Sequence, residues 1–158
     1  MKNTIEFALQ SQELKYQVIR DASEQKIIKL GIQLKNSRFD TFIDIRPEAE
    51  QVLIFAVCPT LVPENKRNQI SEFITRANYG LIIGNFEFDH GDGELRYKAS
   101  YFYDSTFPDS AAVFLKNLYT SFGMMERYLP GIMAVIYGNS TPEAAVSQVE
   151  RTSKASDN

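Results

Sequence analysis

The sequence predicts a single α+β domain in which helices flank an antiparallel sheet, in the order α-β-β-β-β-α-β-β-α. Three observations predict it. Strand-like segments over residues 26–58 are joined by links too short for a helical crossover, so neighbouring strands should run antiparallel. Apolar residues then recur at helical spacing up to Ala77, and Asp92-Gly93, a strong hairpin signal, separates two alternating segments. The 158 residues suffice for one core, expected over residues 1–150 with a disordered tail over 151–158.

Composition and charge argue against several classes of function. The formal net charge is −3, whereas a nucleic-acid-binding domain usually carries a basic surplus. The single cysteine, Cys58, cannot form an internal disulfide, which is typical of a reducing compartment. The first residues lack a signal-length apolar run, and no stretch approaches the roughly 18 apolar residues of a membrane span. We therefore expect a cytoplasmic protein that binds neither nucleic acid nor membrane.

The chain begins with a short helix. Thr4 is the expected N-cap, and the spacing places Ile5, Ala8 and Leu9 on the inward face with Phe7 near it. The helix should end before Tyr16, and a short strand is expected near residues 16–20 because Tyr16 and Val18 alternate with polar neighbours.

Three further strands follow as a meander. Residues 26–35 alternate between apolar and polar side chains. Residues 38–46 alternate except at Phe42-Ile43, which suggests either a bulge or two partly covered faces. Residues 51–58 are a continuous apolar run, which predicts a central strand buried on both faces.

A helix and a hairpin come next. Pro63 fits the first turn of a helix that should end at Asn78, where Asn78 and Gly80 tolerate the backbone angles of a helix exit. In the hairpin, one apolar face should be shared by the two strands, with Phe86 and Phe88 opposite Leu95, Tyr97 or Ala99. Glu87 should then lie opposite Arg96 or Lys98.

A long helix closes the domain. Asp109 is its expected N-cap, Pro130 should kink or split it, and Gly138 should close it. Its apolar residues step alternately by three and four, forming one seam: Leu115, Leu118, Phe122, Met125, Leu129, Ile132 and Ile136. Residues 140–143 (STPE) resemble a capping box and predict a last short helix to about Glu150.

Residue types that carry chemistry are few and scattered. His90 lies in the acidic segment 89–94, whose composition resembles a calcium loop, but the EF-hand spacing is not met and a plain turn is favoured. Cys58 should behave as a small hydrophobe, since no second Cys or His lies nearby to form a nucleophile pair. The alternation of Asp40 and Asp44 favours a solvated strand face over a carboxylate cluster. We therefore predict no catalytic residue, no metal site and no cofactor.

Two sets of residues are candidate binding surfaces. The seam residues Leu115, Leu118, Phe122, Met125 and Leu129 form either a homodimer contact or the face on which the sheet packs. Tyr97, Tyr101 and Tyr103 share one strand face, and tyrosine brings a large contact area at modest entropy cost. A third set, Lys66, Arg67, Arg76, Arg96 and Lys98, is interleaved with acidic residues, which favours a mixed solvated surface over a nucleic-acid site.

The order of elements and three motifs resemble the YbjN family, bacterial proteins described as sensory-transduction regulators. The motifs are the helix end RANY at residues 76–79, the strand GLIIGNFE at 80–87 and the hairpin DGELRY at 92–97, followed by the long helix. The resemblance covers nearly all of residues 1–150. Asn78 matches the asparagine at the family's helix end, where a structural role in capping the helix and turning the chain is expected.

The resemblance implies a fold like that of type III secretion chaperones, which are usually homodimers that bind extended segments of partner proteins. It implies no enzymatic activity and no catalytic residues. Together with the absence of a nucleophile or phosphate site in the sequence, it leads us to expect a non-enzymatic protein-binding module, chaperone-like or regulatory, that forms a homodimer. A small-ligand or metal-sensing regulator using the turn at residues 89–94 is the alternative.

Overall fold

The computed structural model describes residues 1–104 and 111–156, with side chains up to Arg151. Its elements, in chain order, are α1 (Lys2–Ser11), β1 (Gln17–Asp21), β2 (Lys26–Gln33), β3 (Arg38–Arg46), β4 (Gln51–Val57), a single 3-10 turn (Glu64–Lys66), α2 (Arg67–Asn78), β5 (Asn85–Phe88), β6 (Leu95–Phe102), α3 (Ala111–Ile136) and α4 (Pro142–Ser156). The predicted α+β class and element order are confirmed.

The six strands form one antiparallel sheet in the order β1-β2-β3-β4-β6-β5. β4 lies between β3 and β6, which confirms its central position, but only its alternate residues are buried, so the expected burial on both faces is wrong. The pairing of β2 with β3 is unbroken from Lys26↔Ile45 to Gln33↔Arg38, so the bulge expected at Phe42-Ile43 is wrong. Phe39, Thr41, Ile43 and Ile45 alternate regularly toward the core; the apolar Phe42 simply lies on the other face. The register shift in this sheet occurs in β1, between Val18 and Arg20.

The core lies between the helices and one face of the sheet, called here the covered face. Most residues of β2, β3, β4 and β6 on this face are buried, among them Ile28, Ile43, Ile54 and Ala99, while Ile32 and Tyr101 at the strand ends are partly buried. The helices contribute Leu9 and other buried apolar residues: Ile5, Ala8, Ile70, Phe73, Ala77, Leu118, Met125 and Leu129. The expected inward face of α1 is confirmed, except that Phe7 points to solvent with 67% of its surface exposed.

The seam of α3 is internal packing. Leu118 and Met125 are fully buried, Phe122 and Leu129 nearly so, and Leu115 packs partly buried against the core. The four buried residues of this set are therefore unavailable for a homodimer contact. They form the alternative that the sequence allowed, a face on which the sheet packs. A helical stripe of this kind gives the same sequence signal whether its cover is the same chain or a second one.

Pro130 lies within α3 without ending it. A proline has no N–H, so the carbonyl of the residue four positions earlier loses its helical donor. That residue is Glu126, and its carbonyl oxygen accepts a hydrogen bond from Asn36 Nδ2 at 3.1 Å, while Glu126 Oε1 accepts from Asn36 N at 2.7 Å. The β2–β3 turn thus supplies the donor that the proline removes.

Several predicted helix ends are corrected. α1 begins at Lys2 with Met1 as N-cap, so Thr4 lies inside the helix. The residue with a positive φ after α3 is Asn139 (φ 54°), not Gly138. Thr141 caps α4, because Ala144 N donates to Thr141 Oγ1 at 3.3 Å. The predicted N-cap Asp109 lies outside the described residues.

α4 is longer than expected. It continues to Ser156, beyond the predicted end near Glu150, so residues 151–156 of the expected disordered tail are helical; residues 157–158 lie outside the described part. Neither glycine nor proline interrupts residues 143–156, and Arg151 Nε donates to Ser147 O at 3.1 Å. Among the helices described, none is long and apolar enough to cross a membrane.

Candidate interaction site

The acidic turn at residues 89–94 is a closed hairpin loop. Asp89 N donates to Glu94 O and Gly93 N donates to Asp89 O, both at 2.9 Å. The two aspartates turn their carboxylates onto the loop itself, where Asp89 Oδ1 accepts from Gly91 N and Asp92 Oδ1 from Glu94 N. Within the described residues, no group of three or more His, Cys, Asp or Glu side chains is arranged to hold a metal ion.

His90 attaches this turn to α2. Its Nε2 lies 2.6 Å from Ser71 Oγ, and its carbonyl oxygen accepts from Arg67 Nη1 at 2.5 Å. The ring also packs edge-on against Phe88, with centroids 4.8 Å apart. A shallow polar cleft of about 390 Å³ lies here, lined by Glu87, Phe88, Asp89, His90, Glu94 and Arg96. His90 therefore has structural partners, and this cleft is where a ligand of the acidic turn would bind.

Cys58 has no feature of a nucleophile. Its side chain is 5% exposed, and burial raises the pKa of its thiol to about 11. A reactive cysteine requires the thiolate, which this environment disfavours near neutral pH.

Asn78 closes one edge of the sheet. The pairing of β5 with β6 directs the N–H and carbonyl of Phe86 away from β6, toward the free edge. There Phe86 N donates to Asn78 Oδ1 at 2.7 Å, and Asn78 Nδ2 donates to Phe86 O at 3.0 Å. The side-chain amide thus makes the two hydrogen bonds that a further strand would make. Asn78 was expected to cap the end of α2, and its side chain instead binds the edge strand of the sheet.

The tyrosine face predicted as a partner-binding surface is wrong for Tyr97. Tyr97 lies on the covered face, is fully buried, and donates its hydroxyl to the carbonyl of Ile83. Tyr101 and Tyr103 are partly buried and pack against the core. The predicted alternation along β6 is confirmed, but the tyrosines occupy the inner positions, and the outer positions belong to Arg96, Lys98 and other residues.

The residues of the possible basic surface have acidic or polar partners close by. Arg96 and Lys98 both pair with Glu87, as the cross-strand prediction expected, and Arg76 pairs with Glu72 at 2.8 Å. The pKa of Glu87 is lowered: burial opposes ionisation, but hydrogen bonds from Lys98 and Arg96 outweigh it. The mixed solvated surface is the arrangement that the structure shows.

The second face of the sheet, called here the open face, is covered by no helix of the described chain. It consists of the outward-pointing residues of β2–β6: Ile27, Lys29, Gly31, Gln33, Arg38, Asp40, Phe42, Asp44, Arg46, Gln51, Leu53, Phe55, Val57, Asn85, Glu87, Arg96, Lys98, Ser100 and Phe102. Most are half-buried or exposed. An antiparallel sheet can leave one face in water, but that face is then usually polar.

The centre of the open face is apolar. Leu53, Phe55 and Val57 follow one another along the central strand, and Phe42 is paired with Phe55 across β3–β4. We call these four residues the apolar ridge. Lys29 lies beside Phe42 in the register, and Lys98 lies beside Phe55, so each end of this row carries a cation. The ridge is a half-buried apolar strip with charged borders.

The charged borders consist of ion pairs. Lys29 Nζ is 2.7 Å from Asp40 Oδ2, with both side chains well exposed. Asp44 was expected to be solvated but is 6% exposed, because Gln25 and Arg46 fold over it with hydrogen bonds of 2.8 and 2.9 Å. Lys29 lies 5.5 Å from the Phe42 ring centroid, and the Arg96 guanidinium lies 4.4 Å from that of Phe55.

Sequence reasoning missed the apolar ridge. Its residues lie in β3, where the sequence suggests either a bulge or two partly covered faces, and in β4, where it predicts a strand buried on both sides. The sequence shows apolar residues at these positions, but only the positions of the helices show that this face of the sheet is uncovered.

Comparison with known proteins places these observations in a family. The model of the family YbjN, described as "putative bacterial sensory transduction regulator", matches residues 2–128. A search among curated proteins finds no significant match.

A solved structure has the same fold. The crystal structure of "YbjN, a putative transcription regulator from E. coli" aligns with a TM-score of 0.58 and 13% sequence identity, over 88% of this chain and 91% of that chain. At this identity the likeness concerns the fold, a six-stranded antiparallel sheet with helices.

Proposed function

Because this chain belongs to the YbjN family, whose description is regulatory, we propose that it is a non-enzymatic protein-binding module that acts in regulation. The observation that carries the proposal is the apolar ridge on the open face. Contiguous apolar surface rimmed by charged residues is typical of a protein interaction site. The two large aromatic side chains, Phe42 and Phe55, are of the kind that provide anchoring contacts.

A non-enzymatic role is supported by the chemistry of the described residues. The thiol of Cys58 is held protonated by burial, and the imidazole of His90 is engaged by Ser71. General acid–base or nucleophilic catalysis would need such groups to converge on a pocket. A cytoplasmic location and a homodimer remain predictions, and light scattering of the purified protein measures the second of them.

The experiment compares partners captured from the native lysate after mild cross-linking. Phe55→Ser removes the central ring of the ridge, and Phe7→Ser is the matched control, because Phe7 is an exposed phenylalanine of α1, on the helical side. We expect mass spectrometry to identify a partner with the unmodified protein and with the control, and to lose it with Phe55→Ser. Equal recovery with both variants would contradict the use of the open face.

The second candidate function is small-ligand sensing in the cleft at residues 89–94. Its support is the proximity of His90, Arg96 and several carboxylates around that cleft. A rise in melting temperature on adding calcium or magnesium would favour it, since a ligand that binds the folded state stabilises it. No rise up to millimolar metal would count against it.

A further inference from the structure

We propose that the open face binds an acidic amphipathic helix, whose apolar side chains lie on the apolar ridge and whose carboxylates meet Lys29 and Lys98. This inference rests on the proposed function and specifies the class of partner. It follows from the charge of the face, the dimensions of the central row and the exposure of its ion pairs.

The open face is basic in an acidic protein. Its strand residues include five Lys or Arg (Lys29, Arg38, Arg46, Arg96 and Lys98) and three Asp or Glu (Asp40, Asp44 and Glu87). The whole chain has 17 Lys and Arg against 20 Asp and Glu. Glu94, in the turn before β6, also pairs with Arg96, and the face still keeps one more cationic than anionic side chain, so a complementary partner would be negatively charged.

The central row has the width of a helix. Lys29, Phe42, Phe55 and Lys98 are consecutive in the register across β2, β3, β4 and β6. Three strand spacings separate the backbones of the two lysines by about 14 Å. A helix with its side chains is about 10–12 Å across. A helix lying along β4 would therefore place its apolar stripe on the ridge and have a lysine at each side.

The cations at the border are available for exchange. Lys98 and Arg96 share Glu87 and are less exposed as a group, with side chains at 28%, 38% and 27%, whereas the Lys29 and Asp40 side chains are 38% and 45% exposed. An exposed ion pair of this kind contributes about 0–1 kcal/mol, so replacing its carboxylate by one from a partner costs little. Docking would also exclude water from the new pairs and strengthen them.

Two other occupants fit less well. A second copy would bring two faces with a cationic surplus together. Single-stranded nucleic acid fits less well because such a partner usually requires a pronounced basic surplus, whereas the chain carries a formal net charge of −3.

The test is selection from a random 16-residue peptide library displayed on phage, with immobilised full-length protein and with Phe55→Ser as counter-selection. We expect the enriched peptides to be negatively charged with apolar residues at helical spacing. One synthetic peptide, labelled with fluorescein, then reports affinity by anisotropy. Lys29→Glu should weaken its binding tenfold or more, while Lys116→Glu, the same charge change at an exposed site of α3, should change it less than twofold. Lys98→Gln provides a second variant without charge reversal, and circular dichroism verifies that each is folded.

Each outcome decides the matter. Enrichment of neutral or basic peptides, or equal binding by Lys29→Glu and Lys116→Glu, overturns the inference. A lysate partner lost with Phe55→Ser, together with no enriched acidic peptide, leaves the protein-binding function standing and refutes the acidic helix. A labelled single-stranded oligonucleotide that binds the protein and is lost with Phe55→Ser would assign the face to nucleic acid instead, and a dimer lost with Phe55→Ser would assign it to a second copy.

Discussion

Replacing Asn78 by alanine should open the β5 edge of the sheet. The change removes two hydrogen bonds to the backbone of Phe86. The carbonyl of Phe86 keeps a donor, since Asn85 Nδ2 lies 3.2 Å from it, whereas no other hydrogen bond to the N–H of Phe86 is found in the described structure. Leaving a partly buried N–H without an acceptor costs about 1–3 kcal/mol. Alanine at the last helical position returns up to roughly 0.7 kcal/mol through its higher helix propensity.

The expected net loss for Asn78→Ala is therefore about 1–2 kcal/mol in the free energy of unfolding, measured by urea denaturation. A melting-temperature decrease of roughly 2–8 °C corresponds to it for a chain of this size. Asn85→Ala is the matched control: it removes only the longer bond to a carbonyl that Asn78 still satisfies, and should cost less than about 0.5 kcal/mol. Equal losses in the two variants, or a loss below about 0.5 kcal/mol in Asn78→Ala, would refute the edge-closing role.

Three further predictions concern packing and ionisation. Gly131→Ala should lower the free energy of unfolding by about 1–2 kcal/mol, because the added Cβ would lie 2.8 Å from Val149 Cγ2. Gly123→Ala in the same helix meets nothing within 4 Å and should raise it by up to about 1 kcal/mol. Calorimetry showing changes of the same sign for both variants would contradict this packing. Leu118→Glu should unfold the domain rather than yield a folded monomer, which circular dichroism would reveal, because it places an unpaired charge in the core. Burial raises the pKa of Tyr97 from 10.0 to about 12, so the contribution of its neutral hydroxyl to stability is complete below pH 10 and is lost as pH rises toward 12. Tyr97→Phe should therefore make the decline in the free energy of unfolding between pH 10 and 12 shallower. An unchanged slope in that pH range would contradict this.

Much of the fold could be predicted from the sequence because its signals are local. The alternation in residues 26–35, the Asp92-Gly93 turn and the apolar spacing up to Ala77 each define an element without reference to distant residues. Short links then leave little choice of topology for the meander. Helix ends were less predictable: α1 begins two residues before Thr4, and α4 passes Glu150, since capping preferences are weak where tertiary packing continues the helix.

The candidate site was harder to predict because it depends on which sheet face the helices cover. Alternation placed Tyr97 on one side of its strand and Lys98 on the other, yet nothing local says which side is the core. The burial of Asp44 was likewise not predictable, because it depends on hydrogen bonds from Gln25, in the turn before β2, and from Arg46, two residues further along β3. The sequence also could not show the partner of Asn78, because only the pairing of β5 with β6 determines that the N–H of Phe86 points away from β6.

The most direct measurement is photo-cross-linking from the centre of the apolar ridge. Phe55→p-benzoyl-phenylalanine places a photoreactive ring on the open face, and Phe7→p-benzoyl-phenylalanine places the same group on the exposed side of α1. After irradiation in native lysate, we predict a covalent adduct with a partner protein from position 55 and none from position 7. Adducts of equal yield from both positions, or from position 7 alone, would contradict the assignment of the open face as the protein-binding surface.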